Sequence, residues 1–331
     1  MRQCDGILEQ RKDETVTKLA AAHPDTTTNV GGGINTAALA STIDPGVAYP
    51  RWTGETKSGN KWQVICGDAR AVLKSLPEET FDCVVTSPPY YCLRDYGIEG
   101  QIGLEDKLSD YVRNIADVMD EVRRVLKSDG LLFLNLGDTY YSGKGESQGV
   151  DRKSNKRRFG LRPVDKSGGV GAGMERKSAI GVPWRVALEM TSSEWVLRSA
   201  IIWHRRHSLP EAVKDRPRRS YEHVFMFAKD RRYHFNREAL KDIQLEEDVW
   251  TIPARPKPTN GIDTAPYPDE LVERCLALGC RERGLVLDPF AGSGTTLRVA
   301  LNSGRSTTGI DLSLEFCEYM VQQLGEMRQC T

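Results

Sequence analysis

The segment from Leu285 to Thr296 constrains the fold more than any other. Leu285 to Leu287 reads as a short apolar strand. Asp288-Pro289-Phe290-Ala291-Gly292-Ser293-Gly294-Thr295-Thr296 then forms a turn, and a helix follows to about Asn302. Gly292 and Gly294 permit positive φ and close backbone approach. Such a turn aims N–H groups at a ligand beyond the carboxyl end of the strand, as open α/β sheets do. It lacks the Gly-Lys-Ser/Thr ending of a Walker loop and the third glycine of the dinucleotide fingerprint. Asp311 ends the next strand, Ser306 to Ile310. A carboxylate there can take both hydroxyls of a ribose. The expected ligand therefore carries a ribose and need not carry a pyrophosphate.

The rest of the chain alternates in the same way. Trp62 to Cys66 reads as a strand ending at Gly67-Asp68. Ala69 to Leu76 is helical and is stopped by Pro77. Phe81 to Thr86 is a buried strand. Ser109 is expected to cap a helix running to Lys127, with Val112, Ile115, Met119, Val122 and Leu126 on one face. Asp129-Gly130 ends that helix, and Leu131 to Leu136 is the next strand. A helix from Pro183 to Met190 precedes strands at Trp195 to Trp203 and His223 to Ala228. Pro268 opens a helix ending near Gly279, and Ser313 caps the last helix. Strands alternating with helices give an α/β fold with a doubly wound, mostly parallel sheet. Residues 1–60 read as a polar extension without chemistry. Residues 142–181 are rich in Gly, Ser, Lys and Arg and show no period, so they read as a mobile insertion. One domain over 61–331 with a basic insertion is expected.

A second turn carries chemistry. Thr86-Ser87-Pro88-Pro89-Tyr90 directly follows a buried strand. Two prolines fix φ and remove two donors, leaving carbonyls to accept from a ligand N–H. Tyr90 offers a flat face beside them. A planar base with an exocyclic amine fits this layout.

Taken together, the two turns resemble those of the amino-methylating DNA methyltransferases, which modify N4 of cytosine or N6 of adenine. The resemblance covers roughly Gln63 to Leu324. It implies a Rossmann-like, S-adenosyl-L-methionine-dependent methyltransferase fold. The cofactor positions it implies are Asp68, Asp288, Phe290, Gly292, Ser293, Gly294, Thr295, Thr296 and Asp311, with Asp68 near the adenine amine. The catalytic positions are Ser87, Pro88, Pro89 and Tyr90. Ala265-Pro266-Tyr267-Pro268 with Leu271 resembles the segment preceding the cofactor turn, although Asp263 and Thr264 stand where a histidine is common. The catalytic turn precedes the cofactor turn, which is similar to the circularly permuted β class.

The implied chemistry is direct transfer. The Ser87 hydroxyl and Pro88 carbonyl accept from the amine and make its lone pair more nucleophilic, with catalysis by positioning and oriented dipoles. Ring-carbon cytosine methyltransferases need a Pro-Cys nucleophile, which this chain lacks. Cys92 follows Tyr91 and reads as structural. Serine before Pro-Pro-Tyr resembles the cytosine-N4 enzymes; adenine-N6 is the alternative. A non-catalytic DNA-binding regulator is a more distant one, and both intact turns weigh against it. Protein-glutamine methyltransferases usually begin the second turn with asparagine and place the cofactor turn first. RNA is the other substrate considered.

Charge at first argues against a polyanionic partner, because 46 Lys+Arg balance 46 Asp+Glu. The distribution reverses that. Residues 151–237 hold 21 Lys+Arg and 9 Asp+Glu, a net +12, so the remainder sums to −12. Arg157, Arg158, Arg205, Arg206 and Arg219 are expected to meet the phosphates of double-stranded DNA. The segment 205–263 and the loop at 142–181 are the candidates for target recognition. A homodimer and a cognate restriction endonuclease are the further partners considered. The eight cysteines contain no Cys-x-x-Cys pair. With no export signal and no apolar run near the ~20 residues of a membrane span, they read as reduced thiols of a cytoplasmic protein acting on bacterial or phage DNA. His204 and His207 lack further ligands nearby, so no metal is expected.

Overall fold

A computed structural model describes residues 49–141, 158–159, 174–175, 177–206, 214–242, 246–254 and 266–327. The strands are β1 (Arg51–Glu55), β2 (Lys61–Cys66), β3 (Phe81–Thr86), β4 (Arg94–Asp95), β5 (Leu126–Leu136), β6 (Arg158–Phe159), β7 (Val196–Arg206), β8 (Tyr221–Ala228), β9 (Val249–Pro253), β10 (Leu285–Asp288) and β11 (Ser306–Asp311). The helices are α1 (Ala69–Lys74), α2 (Leu108–Val125), α3 (Val182–Ser192), α4 (Arg237–Asp242), α5 (Asp269–Gly279), α6 (Thr295–Asn302) and α7 (Leu314–Glu326).

The main sheet has nine strands in the order β1-β2-β11-β10-β3-β5-β8-β7-β9. All run one way except β1 and β8. β10 and β11, late in the chain, lie between β2 and β3, which come early. The permutation expected from the motif order is thus a property of the sheet. From β10 the chain proceeds to β11 on one side, and from β3 to β5 on the other. The crevice beyond the carboxyl ends of β3 and β10 is therefore a topological switch point, where open α/β sheets bind ligands.

Every residue of β3 is buried, as its unbroken apolar run requires of a strand covered on both faces. Val84 turns to one core with Val72 of α1, Ile115 of α2 and Val186 of α3. Cys83 and Val85 turn to the other with Leu271 of α5 and Val299 of α6. A third cluster packs Trp62 and Val64 against Leu297, Cys317 and Met320.

Several boundaries differ from the sequence reading. α2 stops at Val125 and β5 begins at Leu126, because β3 recruits Leu126 opposite Phe81. The register shift between Phe81 and Cys83 absorbs Lys127 to Gly130, so Asp129-Gly130 lies inside an irregular strand. Ser109 does not cap α2; Lys107 holds that position without a side-chain bond. The polar extension contains β1, which pairs antiparallel with β2 and covers its free edge. α4 and β9 occupy part of the span considered for target recognition, β9 pairing with β7. Most of the insertion at 142–181 lies outside the described residues. Among the described residues no helix is long and apolar enough to cross a membrane.

β3 and β10 are tied where they begin as well as where they end. Buried Asp82 accepts from Leu285 N at 2.9 Å and from Lys127 Nζ at 2.8 Å. Asp82→Ala removes both bonds and strands a buried backbone donor. It should cost about 2 kcal/mol in urea unfolding; a loss below ~0.5 kcal/mol would contradict the tie.

Candidate functional site

The glycine turn is built by its neighbours. Gly292 has φ +52° and nothing within 4 Å of where a Cβ would stand, so its backbone is open to an approaching group. Gly294, φ +78°, is the N-cap of α6, and a Cβ there would meet Met320 Cγ at 2.9 Å. Asp311 Oδ2 accepts from Gly292 N at 2.8 Å, and Oδ1 accepts from Ser313 N at 2.8 Å. Burial pushes the Asp311 carboxyl up to about 6 against those two N–H donors. Its remaining acceptor capacity faces the cavity described below, where hydroxyl donors could use it.

Asp288 holds this turn against the end of β3. Its Oδ1 accepts from Thr86 Oγ1 at 2.6 Å and from Phe290 N at 3.1 Å, while Oδ2 accepts from Tyr267 OH at 3.0 Å. The Thr296 hydroxyl pairs with Tyr267 and donates to Val85 O at 3.2 Å. Burial raises the Asp288 carboxyl, and the hydrogen bonds oppose that rise. Sequence reasoning missed Thr86 as its partner, because a threonine ending a strand carries no signal of which carboxylate it will meet.

On the other side, Tyr111 OH donates to Pro89 O at 2.9 Å and anchors the double-proline turn on α2. Gly137 makes room for the Tyr90 ring, since a Cβ there would meet Tyr90 Cε2 at 2.6 Å. Tyr90 OH donates to Glu222 Oε2 at 2.5 Å and receives from Ser87 Oγ at 3.4 Å. Asn135 Nδ2 points at Ser87 Oγ (3.3 Å), Tyr90 OH (2.9 Å) and Glu222 Oε2 (3.0 Å). Arg205 Nη1 completes the cluster on Glu222 Oε1 at 2.7 Å. Burial, with the Glu222 charge second, pushes the Tyr90 phenol well up, so it stays protonated.

The two turns line one cavity of about 180 Å³. Ser87, Pro88, Pro89 and Tyr90 form one wall. Phe290, Gly292, Ser293, Thr295 and Asp311 form the other, with Asp68 at the end. Asp68 also caps α1, its Oδ1 accepting from Ala71 N at 3.0 Å. Asp288, Gly294 and Thr296 stand behind the glycine turn and do not line the cavity. Phe316, Ser313 and Tyr267 line it without having been foreseen as doing so. An open glycine backbone, a carboxylate with spare acceptor capacity and flat apolar walls fit an adenosine-bearing group.

The basic residues divide. Arg206 is exposed at the end of β7, on the side of the sheet where the two turns lie. Arg205 is placed differently from the phosphate role expected of it: its side chain is 22% exposed and is engaged internally with Glu222. Arg219 Nη1 donates to the Asp138 carbonyl, and the Asp138 carboxylate accepts from Gly181 N and Val182 N at the start of α3. Arg216 lies over the Tyr140 ring, 3.8 Å from its centroid. Arg158 sits in β6, opposite Asp95 of β4, and Arg157 lies outside the described residues. Among the described residues no three His, Cys, Asp or Glu side chains gather as metal ligands would.

Comparison with known proteins identifies the class. A DNA methylase family of N6 and N4 enzymes matches residues 81–322. Type II methyltransferase M.SmaI of Serratia marcescens is 40% identical over 274 residues, 80% of this chain and 91% of that protein. Type II methyltransferase M.Cfr9I of Citrobacter freundii is 38% identical over 264 residues, covering 78% and 86%. Among solved structures, PvuII DNA methyltransferase (cytosine-N4-specific) has a TM-score of 0.60 at 20% identity, covering 83% of this chain and 95% of its own. A Thermus thermophilus protein complexed with S-adenosyl-L-methionine has a TM-score of 0.55 at 24% identity, covering 80% and 95%. The chain belongs to the N6/N4 DNA methylase family. It is a DNA methyltransferase, and its relatives M.SmaI and M.Cfr9I are Type II methyltransferases.

Thr86→Val tests the bridge between the two turns. It withdraws a hydrogen bond that favours ionised Asp288, so the loss, about 1–3 kcal/mol, is full where Asp288 is ionised. As pH falls and Asp288 takes up its proton, the difference from wild type shrinks. Unfolding by urea at several pH values reads this, and a pH-independent difference would contradict it.

Proposed function

We propose that the chain methylates the exocyclic N4 of a cytosine flipped out of duplex DNA, at the cavity between the two turns. The observation carrying this reading is that Ser87 to Tyr90 and the glycine turn face each other from paired strands. When bound, S-adenosylmethionine supplies an electrophilic methyl group on a sulfonium. In this reading Asp311 accepts from the ribose hydroxyls and Asp68 meets the adenine amine. Gly292 to Thr295 back the remainder, with Asp288, Gly294 and Thr296 supporting that wall.

The base amine is a poor nucleophile, because its lone pair is delocalised into the ring. Ser87 Oγ and the Pro88 carbonyl accept its two N–H groups and draw the lone pair out of conjugation. Pro89 stiffens the turn, and Tyr90 presents its face to the base. Cys92 is buried, and no protein nucleophile is required. Serine ahead of Pro-Pro-Tyr supports cytosine; adenine-N6 is the alternative base. Arg206, Arg219 and the Arg157–Arg158 segment supply positive charge for the duplex. A cognate endonuclease and a second copy of the chain are the further partners considered.

Mass spectrometry of DNA from cells expressing the protein should find N4-methylcytosine. N6-methyladenine as the sole product would overturn the choice of base. The ionised form of Asp311 is the better acceptor for ribose hydroxyls. With its carboxyl near 6, cofactor affinity measured by calorimetry should be flat above about pH 6 and fall up to tenfold per pH unit below it. Asp311→Asn should remove that acid limb; an unchanged profile would contradict the assignment.

A further inference from the structure

The transferred methyl leaves the base nitrogen with one proton too many, and Ser87 cannot keep it. A hydroxyl that accepts a proton must pass its own onward. The described residues provide that path. Ser87 Oγ donates to Tyr90 OH at 3.4 Å, and Tyr90 OH donates to Glu222 Oε2 at 2.5 Å. Glu222 is 8% exposed and lies on β8, which reaches the site only because it is hydrogen-bonded to β5. Asn135 Nδ2 points at all three oxygens and sets their spacing.

We propose that Glu222 is the terminal acceptor of the amine proton, reached through Ser87 and Tyr90. This rests on the methyltransferase reading above and adds the fate of the proton to it. In the step, the amine lone pair forms the N–C bond while the C–S bond breaks and its electron pair stays on sulfur. The nitrogen proton passes to Ser87 Oγ, the Ser87 proton to Tyr90 O, and the Tyr90 proton to Glu222 Oε2. The sulfonium charge and the Glu222 carboxylate charge disappear together.

Arg205 Nη1 donates to Glu222 Oε1 at 2.7 Å, opposite the oxygen that takes the proton. The titratable and charged groups facing Glu222 are Arg205 from β7 and Tyr90 from the turn after β3; His223, next on β8, points to the opposite face of the sheet and feels its charge from there. His223 is held below its ordinary value by burial, so it is neutral when the relay operates. The Tyr90 phenol is held protonated by burial, which suits a group that passes a proton without storing one. Glu222 is therefore a proton-accepting residue separated from the substrate by Ser87 and Tyr90.

The test is single-turnover methylation of unmethylated, PCR-amplified genomic DNA, across pH, with cofactor affinity measured separately by calorimetry. Wild type should show a rate that rises with pH and then levels. Glu222→Gln should lower the plateau about a hundredfold and abolish the acid limb, with cofactor affinity within about twofold. Glu222→Asp should recover part of the rate. A Glu222→Gln rate and pH profile matching wild type would overturn the relay while leaving the methyltransferase reading intact. No methylation by wild type would instead overturn that reading. Should the unpaired Arg205 unfold Glu222→Gln, the neutral pair Glu222→Gln with Arg205→Gln carries the same expectation and the same contrary outcome.

Discussion

The site depends on the pairing of β3 with β10. These strands are about 200 residues apart in the chain, yet they lie side by side in the sheet, Cys83 opposite Val286 and Val84 opposite Leu287. Each ends in one of the two functional turns, and the bond from Thr86 to Asp288 joins the turns at their roots. A buried carboxylate is costly unless it is well partnered. Asp288 has Thr86, Tyr267 and the Phe290 N–H, so its ionised form is held in one place. The separation of the two turns at their roots is thus set by the spacing of these paired strands, ~4.8 Å between neighbours.

The same logic organises the polar cluster behind the catalytic turn. Four segments contribute to it: the turn after β3, the end of β5, the end of β7 and the start of β8. None has enough polar partners alone. Brought together by the sheet, Ser87, Tyr90, Asn135, Glu222 and Arg205 bond to one another, while buried Asn135 Oδ1 and Arg205 Nε keep no partner of their own among the described residues. Low local dielectric strengthens such bonds and makes each member costly to remove. The neutral total charge conceals a comparable division in space, with exposed Arg206 on the side of the sheet where the turns lie and Arg205, the preceding residue of β7, engaged with Glu222 in the cluster.

Much of this was legible in the sequence. The apolar run Phe81 to Thr86, the glycines of the cofactor turn and the prolines of the catalytic turn each have a local physical meaning, and their order foretold the permuted sheet. Ser313 capping the last helix was equally local, and its Oγ accepts from Phe316 N. What the sequence hid is tertiary. Arg205 reads as one more cation in a basic stretch until β8 brings Glu222 beside it. Leu126 continues a helical face until β3 draws it into a strand. β1 looks polar because an edge strand exposes one side, and β9 is too short for periodicity to speak.

Methyl transfer at this site requires that the two turns hold its two partners across a single cavity. A crystal structure of the protein with bound S-adenosylmethionine is the decisive measurement. It should show ribose hydroxyls on Asp311, the adenine near Asp68, and the methyl group directed at Ser87 and Pro88. An adenosine outside this cavity, or a methyl group turned away from the double-proline turn, would contradict that arrangement.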